Sequence, residues 1–110
     1  MSLPQGGPGN GPTASGPATG TTLSRTVIIC NRLGLHARAA AKFVTLAERF
    51  GASVDVVKDG QAVSARSIMG LMMLGAGRGA PIELRAEGWD AKEALDALAA
   101  LVESGFNEPD

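Results

Sequence analysis

Two places in the chain combine residue types that suit group-transfer chemistry. The first is Gly34-Leu35-His36-Ala37-Arg38. An apolar, β-branched run ends just before it, Gly34 breaks the run, and a helical pattern begins at Ala37. The imidazole of His36 therefore sits at the mouth of a helix. The first amides of a helix lack intrahelical partners and carry partial positive charge, so such a terminus attracts anions. Arg38 adds a charge-assisted contact to a tetrahedral oxyanion. An imidazole can form a covalent intermediate, and a nucleophile beside an anion cradle suits phosphoryl transfer. A lone histidine at a helix start is also a common capping or surface residue, and position alone leaves both readings open. The chain has one histidine and no tyrosine, so no second imidazole can stand in. The second place is Ser67, which reads as the N-cap of a short helix. A phosphate on it would bring about −1.5 to −2 charges into a favourable dipole field. Ile68, Met69 and Met72 beside it suggest an exposed apolar docking patch, because Met adapts to several partners. The alternative is a simple cap above core methionines.

The surrounding elements follow from hydrophobic periodicity. Arg25–Asn31 is apolar and β-branched and reads as a strand. Ala37–Phe50 has apolar residues at Ala40, Phe43, Val44, Ala47 and Phe50, one face of a helix ending at Gly51. Ser53–Lys58 and Gln61–Arg66 flank Asp59-Gly60, a pair suited to the positive φ angles of a type I′ hairpin turn. Ile68–Leu74 forms the helix capped by Ser67, and Gly75 ends it. The stretch Gly75–Gly79 reads as a flexible connection. Ala80–Glu87 alternates, with Ile82, Leu84 and Ala86 on one side and a solvated face of Glu83, Arg85 and Glu87 on the other. Asp90 and Glu93 form a capping-box-like start to a helix with the stripe Ala94, Leu95, Leu98, Leu101 and Val102. Cys30 is expected as a small core hydrophobe and Trp89 as a cover over a core edge. The order β-α-β-β-α-β-α, with its hairpin, predicts a two-layer α+β domain. A mostly antiparallel sheet carries helices on one face and leaves the other open.

Composition bounds the function. At 110 residues the chain is one domain in size. Ten Lys and Arg against eleven Asp and Glu give a net charge of −1, which argues against a nucleic-acid binder. The single cysteine excludes an internal disulfide, fits a reducing cytoplasm, and with one histidine offers no metal-ligand cluster. Residues 1–22 hold 6 of the 15 Gly and 4 of the 6 Pro and no charged side chain, so they read as a disordered tail before a folded unit at 23–110. The tail lacks a basic and then apolar region, so it is not a signal peptide. No run approaches the ~18 apolar residues of a membrane span.

The segment Gly34–Arg38 resembles the active-site signature of HPr, the histidine-containing phosphocarrier of the bacterial phosphoenolpyruvate-dependent phosphotransferase system. Val63–Gly75 resembles the regulatory-serine region of the same family, and the separation of His36 and Ser67 matches. The likeness runs over about 25–108. Glu103-Ser104-Gly105-Phe106 is similar to proteobacterial and nitrogen-branch members. The resemblance implies an HPr-like open-faced β-sandwich with four strands and three helices on one face. It implies that His36 accepts phosphate on Nδ1 from phosphorylated enzyme I and passes it to EIIA-type proteins, with Arg38 balancing charge. It further implies a cytoplasmic monomer that is a carrier rather than an enzyme, with no cofactor or metal, in a relay that serves either sugar transport or nitrogen and carbon regulation. Ser67 would be the target of an HPr kinase/phosphorylase. One position departs: Ala39 stands where the family commonly has Pro, so some rigidity at the first helical turn is lost. Two other classes stay in view. One is a regulatory interaction protein of the nitrogen-type relay, acting by binding partners. The other is a small-molecule-binding module with an incidental histidine.

Overall fold

A computed structural model describes residues 22–109. Its elements are β1 (Thr22–Ile28), α1 (Ala37–Ala47), β2 (Ser53–Lys58), β3 (Gln61–Ser64), α2 (Ile68–Met73), β4 (Pro81–Glu87) and α3 (Ala91–Glu103), followed by a 3-10 turn (Gly105–Asn107). The four strands form one antiparallel sheet in the order β1-β4-β2-β3. The helices cover one face. Val27, Val54, Val56, Ile82, Leu84 and Ala86 point into that layer and meet Phe43, Val44, Leu71, Leu95, Leu98 and Val102. Residues that alternate with them, such as Ser24, Asp55, Arg85 and Glu87, are exposed on the open face. The α+β open-faced sandwich and its element order agree with the sequence reading. Of the tail read over 1–22, residues 1–21 lie outside the described residues, and Thr22 opens β1.

The boundaries shift for identifiable reasons. The first strand was expected at Arg25–Asn31. It instead runs three residues earlier, because its partner β4 sets the ladder from Thr22↔Glu87 to Ile28↔Pro81. Pro81 has no N–H to extend that ladder. Two further bonds, Ile29 N–H to Ala80 O at 2.9 Å and Gly79 N–H to Ile29 O at 2.7 Å, carry the chain onward. Alternation persists here: Ile29 and Asn31 face in, and Cys30 between them faces out. Cys30 is therefore exposed rather than in the core, its thiol 3.4 Å from Val102 O.

The first helix stops at Ala47, short of Phe50. Its last turn tightens through Arg49 N–H to Leu46 O at 3.1 Å and Phe50 N–H to Ala47 O at 3.2 Å. The amides of Gly51 and Ala52 then turn to the buried carboxylate of Asp90, at 2.9 and 2.8 Å. Asp90 is thus the backbone N-cap of α3 but makes no side-chain cap bond, so the expected capping box is absent. Two adjacent backbone donors converging on one carboxylate take the place of a side-chain cap bond. Trp89 does not cover the core; it is 88% exposed. The third strand ends at Ser64, although Ala65 N–H still reaches Val54 O at 2.9 Å. The hairpin turn is as expected, with φ of 51° at Asp59 and 81° at Gly60.

Candidate functional site

His36 is the backbone N-cap of α1, with extended φ and ψ. Ala40 N–H donates to His36 O at 2.8 Å, the first bond of the helix. The amides of Ala37, Arg38 and Ala39 therefore precede the first closed turn. The loop that carries His36 is fixed from two sides. Gly34 has a φ of +67°, and a Cβ there would lie 2.4 Å from Ala76 O. Only glycine permits both that angle and that approach. Leu35 N–H donates to Ala76 O at 2.9 Å, and Ala76 is buried. The Gly75–Gly79 segment, expected to be a flexible connection, is thus a strut against which the histidine loop is built.

The imidazole Nε2 lies 2.5 Å from Glu108 Oε2. The other carboxylate oxygen, Oε1, accepts from Asn31 Nδ2 at 3.0 Å, and the same nitrogen donates to Gly34 O at 2.9 Å. The Asn31 amide, and after it the His36 ring, hold the Glu108 carboxyl below the ordinary carboxylate range. Burial opposes this, and the charges of His36 and Lys42 assist it. An ionised carboxylate only accepts hydrogen bonds. Nε2 therefore carries the ring hydrogen, and the lone pair of the neutral ring lies on Nδ1. Leu33, His36, Ala37, Arg38, Glu108 and Pro109 line one open cleft of about 480 Å³. Arg38 also borders a second cleft along α1 with Lys42, Thr45 and Arg49. Lys42 is committed elsewhere: its Nζ donates to Phe106 O at 2.6 Å.

Ser67 caps α2, its Oγ accepting from Gly70 N–H at 2.9 Å. The residues beside it are exposed: Met69 by 71%, Met72 by 41% and Ile68 by 40%. Met73, which sequence reasoning passed over, adds 70% exposure to the patch, and Leu71 is the residue α2 buries. His36 and Arg38 thus share one cleft, and Ser67 stands on a separate helix with its own apolar surface.

Three contributors were missed. Glu108 and Asn31 meet only through the fold, 77 residues apart. Phe106 is fully buried in the turn Gly105–Asn107 with a φ of 57°, and short turns leave no periodicity in sequence. An Asn at the inward-facing end of an apolar run was the one signal that could have flagged Asn31, since buried polar groups need partners. Among the described residues no group of three His, Cys, Asp or Glu side chains could hold a metal ion, and no helix is long and apolar enough to cross a membrane.

An antiparallel open-faced sandwich with an imidazole at a helix mouth, its Nε2 held by a carboxylate, defines a histidine phosphocarrier architecture. Residues 23–104 match the family model described as the PTS HPr component phosphorylation site. The chain belongs to the HPr phosphocarrier family of the phosphotransferase system. It is 50% identical over 88 residues to the phosphocarrier protein NPr of Shewanella violacea, covering 80% of this chain and 97% of that one. It is 49% identical over 86 residues to the phosphocarrier protein HPr of Cupriavidus necator, covering 78% and 97%. Among solved structures it is similar to HPr-C-His of Thermoanaerobacter tengcongensis, with a TM-score of 0.76 and 46% identity over 80% of this chain and 99% of that one.

The acid response of the site follows from the lowered Glu108 carboxyl. Its folded value lies below the ordinary 4.5, so the contribution of its hydrogen bonds is complete above that value. It is lost as pH falls through the folded value. Carbon-detected NMR of the Glu108 carboxyl should give a midpoint below 4.5. A midpoint above it would contradict the bonded arrangement.

Proposed function

We propose that His36 is the phosphoryl acceptor, taking the group from phosphorylated enzyme I and passing it to EIIA-type proteins. The observation that carries this reading is the Nε2–Glu108 contact, which leaves the nucleophilic lone pair on Nδ1. In the transfer, Nδ1 bonds to phosphorus as the donor's bond to phosphorus breaks, and the Nε2 hydrogen stays in place. The ring gains positive charge as that bond forms, and the Glu108 carboxylate faces it. Arg38, in the same cleft, balances the phosphoryl oxygens together with the free helix amides. The chain acts as a monomer that presents one site to two partners in turn. Incubation with enzyme I and phosphoenolpyruvate should yield a phosphorylated chain with an acid-labile bond; a chain left unmodified by its cognate enzyme I would refute the reading.

Regulation at Ser67 is the second part of the proposal, with an HPr kinase/phosphorylase as the modifying partner. Its support is the exposed surface of Ile68, Met69 and Met72 around it. A dianion there would be poorly desolvated against an apolar partner face. Ser67→Asp should weaken phosphoryl uptake from enzyme I about tenfold through KM, a loss typical of one charge placed at an interface. Circular dichroism should show an unchanged fold. An unchanged KM would remove Ser67 from the docking surface. The alternative role, in a nitrogen-type regulatory relay, is favoured by the relative named NPr, although a relative named HPr is almost equally similar. Partner responses that survive His36→Ala would support that role.

A further inference from the structure

We infer that Asn31 is a positioning residue for phosphoryl transfer, acting on His36 through Glu108. The inference rests on the reading of His36 as the acceptor. Asn31 is 2% exposed, at the inward-facing end of the run that follows β1. Its Nδ2 donates at once to Gly34 O, at 2.9 Å, and to Glu108 Oε1, at 3.0 Å. Both partners can only accept, so the amide orientation is fixed by chemistry. Its Oδ1 is buried and has no hydrogen-bond partner among the described residues. A buried polar side chain with one unmet acceptor is normally disfavoured, and what the site gains from it is the pair of donors.

Those two donors join the parts that must agree for the imidazole to work. Gly34 sets the loop that carries His36. Glu108 sits beyond the last helix, just after the turn Gly105–Asn107, and it sets the ring. Without the amide, Glu108 Oε1 loses the hydrogen bond from Asn31 Nδ2, and its grip on Nε2 loosens. Asn31 thus fixes which ring nitrogen bears the hydrogen and where Nδ1 points. Asp at this position keeps the size but replaces both donors by acceptors, against two acceptors already in place. The pair Asn31→Asp with Glu108→Gln restores one hydrogen bond with donor and acceptor exchanged.

The test measures phosphoryl uptake from enzyme I and the ring ¹⁵N shifts of His36, which report its tautomer. In Asn31→Asp, uptake should fall about tenfold or more in kcat, the scale of a displaced nucleophile, with the Nε2–H preference weakened. The double variant should recover part of both. A merely structural role would change stability and leave the tautomer of the folded protein untouched, and that outcome would overturn the inference. Should Asn31→Asp not fold, the unaltered chain decides. Its Asn31 side-chain amide signals should shift as Glu108 is titrated with acid, and signals that stay fixed would also overturn it. An unaltered chain that takes no phosphate would instead sink the acceptor reading of His36, so the two failures are separable.

Discussion

His36→Ala should abolish the acid-labile phosphoryl adduct, lowering uptake from enzyme I by more than about a thousandfold, as removal of a nucleophile does. No compensation is available within the chain, which has no second histidine. The fold should survive. The imidazole is partly exposed and makes no side-chain cap bond to α1, and alanine is a strong helix former. The thermal midpoint should therefore stay near that of the unaltered protein, and the loss should be one of chemistry. Acid lability makes the assay selective. A phosphorus–nitrogen bond to imidazole breaks in mild acid, whereas a phosphate ester on Ser67 persists. Mass spectrometry before and after acid treatment separates the two, and an acid-labile adduct retained in His36→Ala would place the acceptor elsewhere.

Much of this site was legible because it depends on local pattern. A break in an apolar run, a glycine and the start of a 3.6-residue period put His36 at a helix mouth, and the capping preference of serine marked the start of α2. The same pattern rules gave the hairpin turn and the alternating face of β4. What they could not show depends on partners distant in sequence. Asp90 looked like a helix cap, yet its carboxylate is taken by Gly51 and Ala52. Cys30 looked like core, and its side was decided by where the β1–β4 ladder ended. The histidine's most informative neighbour, Glu108, lies 72 residues away in a segment without periodicity. Sequence thus located the imidazole proposed as acceptor, and the fold supplied the contact that holds its Nε2. The Ala39 substitution fits this division. Ala39 is fully buried in α1, so the first helical turn is held by packing where the family commonly has a proline ring.

Phe106→Ala should have the largest effect on stability, and it should reach the site as well. The ring is fully buried against the core although it follows the last helix. Truncating a buried phenylalanine costs about 3–5 kcal/mol. In a domain of this size that corresponds to a fall of roughly 15–30 °C in the thermal midpoint. The backbone at Phe106 is also anchored, since Lys42 Nζ donates to its carbonyl at 2.6 Å. Two residues later comes Glu108, beside Nε2, and its place there is expected to follow that anchor. Loss of the ring should therefore slow phosphoryl uptake even at temperatures where the variant is folded, with the His36 tautomer preference weakened as well. Phe106→Leu keeps a large apolar side chain and should lose less of both. A variant that melted far lower yet kept the uptake rate and tautomer of the unaltered chain would show that Glu108 is placed by Asn31 and His36 alone. Parallel losses would show that the C-terminal turn is what carries the carboxylate to the imidazole.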